Sequence, residues 1–130
     1  MKWLLGGVLG AAGSGSVASD DLYFVSNRLP PHHSGILFIG DATTAVPFSN
    51  GIRVVASGGL GLYRFPAQQS DALGMLTTGP GLVALSNHFP PAGHITAGQT
   101  WNFQLWYRDP QGPCGGSTNF SNGVQVAFVP

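Results

Sequence analysis

Thr100-Trp101-Asn102-Phe103-Gln104-Leu105-Trp106-Tyr107-Arg108-Asp109 alternates apolar and polar side chains and holds two of the chain's three tryptophans. Successive side chains of a β-strand point to opposite faces. Trp101, Phe103, Leu105 and Tyr107 would then share one face, with Thr100, Asn102, Gln104, Trp106 and Arg108 on the other. The first face reads as core, because large aromatics bury roughly 150–250 Å² each and dominate the energetics of a small fold. This stretch is expected to be the central strand.

Working outward, Asp109-Pro110-Gln111-Gly112-Pro113 reads as a turn and the segment to Gly123 as loop. Val124-Gln125-Val126-Ala127-Phe128 reads as a last strand that faces the core through Val124, Val126 and Phe128 and pairs antiparallel with the central one. Upstream, Gly35-Ile36-Leu37-Phe38-Ile39-Gly40 is a continuous apolar run bounded by glycines, short enough for a buried mid-sheet strand. A strand from about Asp21 to Ser26 precedes it. Asp41 to Phe48 reads as a turn-rich crossing, and Ile52 to Ala56 and Leu60 to Phe65 as a hairpin folded across Gly58-Gly59. Leu73, Met75 and Thr77 alternate as a fifth strand, while Leu82-Val83-Ala84-Leu85 fits either a strand or one helical turn. No 11-residue stretch shows helical spacing with good caps. Seven to eight short strands in one domain, residues 13–130, predict an all-β fold, an antiparallel β-sandwich.

At 130 residues the chain is long enough to bury about 65–70% of its unfolded surface. Its 20 glycines and 10 prolines read as turns, since 43% hydrophobic residues and clear alternation oppose disorder. Five Lys+Arg balance five Asp, with no Glu, so no basic patch stands ready to neutralise phosphates and nucleic acid is not expected as a partner. So low a charge suits a secreted or assembled protein better than a crowded cytosol. Residues 1–12 open with Lys2 and an apolar run that ends in small residues, which reads as a short export signal or else as a first strand. The run falls short of the ~20 apolar residues a transmembrane anchor needs. Cys114 is the only cysteine and reads as a small half-buried residue.

Thr100 to Gln104, Trp106 to Pro110, Gly112-Pro113-Cys114-Gly115 and Asn119-Phe120-Ser121-Asn122-Gly123 together resemble the C-terminal module of large secreted proteins from environmental bacteria, an uncharacterised β-rich domain. Leu29-Pro30, the Gly35 to Gly40 run, Pro47-Phe48 through Arg53, and Gly79-Pro80-Gly81 follow the same order. The resemblance implies an appended β-rich module. Its relatives often place a cysteine near Ile52 to Val55 that would bridge to Cys114, and that partner is absent here.

Trp106 lies on the polar face by alternation, so it is either covered by a second layer or exposed as a platform for a sugar ring or another chain. Trp106, Arg108, Asp109 and Tyr63 are the candidate binding residues. Asp109 before Pro110 reads as an Asx turn. With Asn119 and Asn122 it offers too few oxygens for the six to eight that Ca²⁺ takes. His32, His33, His88 and His94 show no ligand spacing, so no metal site is expected, and nothing calls for a cofactor. The function these features suggest is a non-catalytic module, extracellular or at the cell surface, that binds a polysaccharide or an extracellular protein surface. The alternative is a small secreted hydrolase with a site borne on the loops at His32-His33 and from Gly79 to His94, which hold all four histidines.

Overall fold

The structure, a computed structural model, describes residues 6–110 and 117–130. Cys114, with the Gly112 to Gly115 motif, and the first five residues of the signal-like stretch lie outside them. The fold is all-β and antiparallel, a sandwich as expected, with eleven strands among the described residues rather than seven or eight. None of its described helices is long and apolar enough to cross a membrane.

The central strand, β9 (Thr100–Arg108), sits within a six-stranded sheet. On one side it pairs with β3 (Ser34–Gly40), whose outer edge carries β6 (Leu62–Arg64) and β7 (Gln68–Gln69). On the other side β10 (Thr118–Phe120) takes its C-terminal half and β11 (Val124–Ala127) its N-terminal half. In this register Val124 lies opposite Phe103 and Val126 opposite Trp101, the parity expected. Loop 117–123 is corrected in part, because Thr118 to Phe120 forms a strand.

Packed on the odd-numbered face of β9 is a three-stranded sheet of β1 (Val8–Ala12), β2 (Tyr23–Asn27) and β8 (Leu76–Thr78), in the order β1-β2-β8. Trp101, Phe103, Leu105 and Tyr107 are buried there with Leu9, Leu22, Phe24, Leu37, Ile39, Leu76 and Phe128, and the Phe24 and Phe103 ring centroids lie 4.5 Å apart. Val8–Ala12, the end of the stretch read as signal-like or first strand, is thus one edge of this sheet. The alternation read over 71–78 is off by one. Leu76 and Thr78 are buried, whereas Leu73 is 81% exposed. The Asp71 carboxylate accepts the Leu73 and Met75 N–H groups, which coils this segment into a turn before the strand begins.

The opposite face of β9 is not open. Residues 41–48, read as a crossing, form β4 (Ala42–Phe48), which pairs with β5 (Gly51–Ala56); the expected hairpin between Ile52 to Ala56 and Leu60 to Phe65 does not form, because the latter joins β3. The β4–β5 hairpin lies across the even face of the main sheet. Gly40 permits that approach, since a Cβ there would sit 2.2 Å from the Ala56 carbonyl oxygen. Beneath the hairpin Asn102 and Gln104 are buried, and a buried amide must find partners. Gln104 Oε1 accepts from Val54 N–H at 3.0 Å, while its Nε2 donates to the carbonyls of Ile52 (2.9 Å) and Ser121 (2.7 Å). Alternation placed these residues on the right face, but that face is a second interior.

The stretch Leu82 to Leu85 resolves as one helical turn, α1 (Leu82–Ser86). Gly81 supplies no side-chain cap; instead the Asp20 carboxylate accepts the N–H groups of Val83 (2.8 Å) and Ala84 (3.1 Å).

Candidate functional site

Toward the C-terminal end of β9 the hairpin no longer seals the even face, and a groove of about 280 Å³ opens between them. Its floor follows from strand register. Phe38 opposes both Gln104 and Arg64, and Phe120 opposes Trp106, so Phe38, Arg64, Trp106 and Phe120 lie on one face of the sheet. Its wall comes from the hairpin, where Val46 pairs with Arg53 and Phe48 follows with the same parity. Trp106 and Phe120 are stacked with centroids 6.3 Å apart, Phe48 meets Trp106 edge-on at 6.3 Å, and Phe38 meets Phe120 edge-on at 6.0 Å. The Arg64 guanidinium carbon lies 5.7 Å above the Trp106 ring, within cation–π range.

Trp106 is half-buried, between the two alternatives its sequence position allowed. Its indole N–H is covered and lacks a hydrogen-bond partner among the described residues. Phe48 is 54% exposed, so apolar surface faces solvent at the mouth. A smaller hollow of about 150 Å³ continues past Trp106 to Arg108, Ile36 and Thr118.

The four candidate binding residues do not converge. Trp106 and the exposed Arg108 share the groove face. Asp109 is buried, with Oδ2 accepting from Asn119 Nδ2 at 3.1 Å. Tyr63 opposes Ile39 on the core face, stacks on Phe89 at 5.2 Å and donates its hydroxyl to the Leu60 carbonyl. One missed residue is its neighbour Arg64, which strict alternation along Leu62-Tyr63-Arg64 sends to the opposite face from Tyr63. Phe48 was obscured because its segment, with Pro47, read as a crossing. Phe120 lay in a stretch read as loop, with no alternation to place it.

Two histidine rings are tied to backbone, His33 Nδ1 lying 2.6 Å from the Pro31 carbonyl and His94 Nε2 3.0 Å from that of Phe89. Among the described residues no three His, Cys or Asp side chains cluster as metal ligands. The carboxylates serve the backbone instead. Besides Asp20 and Asp71, Asp21 accepts from Ser14 N–H and Oγ–H, and Asp41 accepts from the N–H groups of Gly58, Leu60 and Gly61. Among the described residues no carboxylate lines the groove.

Fold and groove together define a β-sandwich with an aromatic, arginine-bearing cleft formed where a hairpin crosses its main sheet. In comparisons with family models, curated proteins and solved structures, nothing matches the chain.

Proposed function

We propose that the chain is a non-catalytic binding module of the cell exterior that holds a polysaccharide in the groove beside Trp106. The observation that carries this reading is the ring set itself. Trp106, Phe120 and the exposed Phe48 surround an open cleft, and aromatic rings are suited to packing on the apolar faces of sugars while guanidiniums bond their oxygens. The low overall charge and the resemblance to appended modules of secreted proteins support the exterior location.

The test is co-sedimentation with a panel of insoluble glycans. Binding should be retained by the wild type and lost in Trp106→Ala and in Phe48→Ala, with circular dichroism unchanged. Phe48 is exposed, so its truncation leaves the core intact even if Trp106→Ala disturbs packing. Failure to bind any glycan removes the proposal. Turnover of an ester or glycoside that disappears in His33→Ala or His94→Ala would favour a hydrolase instead.

A further inference from the structure

The chain is formally neutral, yet its charges are not evenly placed. Arg53 and Arg64 line the groove and Arg108 lines the adjoining hollow, so three of the five cationic residues flank Trp106. Arg108 stands two residues from Trp106 along β9, about 7 Å at strand rise. None of the three guanidiniums is paired with a carboxylate among the described residues. The Asp side chains are committed elsewhere: to the α1 N-terminus, to the turns after Asp41 and Asp71, to Ser14 and to Asn119. Arg53 uses one of its five N–H donors on the Val55 carbonyl, at 2.7 Å, and Arg64 is held over the Trp106 ring.

A neutral glycan offers these guanidiniums only hydroxyl and ring oxygens, one donor at a time, whereas an acidic one also offers charge to match theirs. Their planar donor forks match carboxylates in bidentate geometry. Resting on the binding-module reading above, we infer that the ligand is an acidic polysaccharide, a polyuronate whose carboxylates meet Arg64 and Arg108 while its sugar rings pack on Phe48 and Trp106.

Polygalacturonate and its fully methyl-esterified form present the same rings with and without charge. Calorimetric titration of the whole chain should show the acid binding at least about tenfold tighter than the ester, with the difference shrinking as salt is raised from about 50 to 500 mM. Arg64→Gln and Arg108→Gln, both at exposed positions, should each weaken the acid about tenfold and the ester by much less. Arg28→Gln removes the same charge outside the groove and should change neither. Equal affinity for acid and ester, or no loss in either groove variant, overturns the acidic ligand while the glycan reading stands. Absence of binding to both forms and to the insoluble glycans removes the two together. Poly-glutamate or a single-stranded oligonucleotide bound as tightly as polygalacturonate would show that charge without the sugar suffices, and would also overturn the inference.

Discussion

Asn122 grips Leu9 with both ends of its carboxamide: Oδ1 accepts the Leu9 N–H at 2.8 Å and Nδ2 donates to the Leu9 carbonyl at 3.0 Å. Leu9 belongs to edge strand β1, and an edge leaves backbone groups without a ladder partner. One side chain here takes the place of a strand residue and ties the N-terminal strand to the loop before β11. Asn122→Ala should cost about 1–2 kcal/mol by urea unfolding, the range for orphaning partly covered polar groups. Asn122→Asp should cost more, since a carboxylate keeps the acceptor but sets an oxygen against the Leu9 carbonyl. If the alanine variant melts like wild type, the clamp is not stabilising.

Gln104 is as buried as Trp101. Truncating Trp101 to Ala should cost ~3–5 kcal/mol through lost burial and a cavity. Gln104→Ala should reach about 3 kcal/mol by another route, because Val54 N–H and the Ile52 and Ser121 carbonyls lose their partner beneath the hairpin. Gln104→Leu preserves much of the volume and none of the bonds, so it should be no better. A leucine variant as stable as wild type would show that volume, rather than the amide, is what the hairpin needs.

Asp20 reaches α1 from before β2 and adopts φ 46° to do so. Asp20→Ala should cost about 1–2 kcal/mol as a lost cap. Asp20→Asn, which tolerates that backbone and retains an acceptor oxygen, should cost less. Matching losses for the two variants would argue that charge alone matters at this position.

Acid should destabilise the fold through Asp41. Partial desolvation pushes its carboxyl up, but the N–H groups of Leu60, Gly58 and Gly61 outweigh this and hold it below the ordinary 3.8. A depressed folded pKa contributes stability that is complete above the unfolded value and lost as pH falls through the folded one. Melting temperature should therefore drop as pH is lowered below about 4, more steeply for wild type than for Asp41→Asn. Tyr107 gives the alkaline limb. Burial raises its phenol above 10.0 against the opposing Gly7 N–H bond, so its contribution is whole below 10.0 and lost as pH rises beyond it.

How far the sequence speaks for this protein can be judged strand by strand. In β9 the alternation of Trp101, Phe103, Leu105 and Tyr107 names the core face without reference to anything else, because facing is set by the two-residue period of the strand itself. The glycine-bounded run of β3 marks a central strand for a similar local reason. The same period sends Trp106 and Arg108 together to the other face, where Trp106 lines the groove and Arg108 the adjoining hollow.

Pairing is decided elsewhere. Residues 52–56 and 60–65 are joined by a glycine pair that permits a hairpin, yet β5 takes β4 and β6 takes β3. What alternation cannot report is which layer covers a face. Asn102 and Gln104 are polar, and only the passage of the hairpin over Gly40 makes them interior, with their amides matched to its backbone. That crossing also brings Phe48 and Arg53 to Trp106 across more than fifty residues of chain, and strand register brings Arg64 and Phe120 to the same place. The period of a strand is a local property of its backbone, whereas the groove exists through contacts between segments far apart in sequence. Those contacts form only when the sheet and the hairpin bury one another.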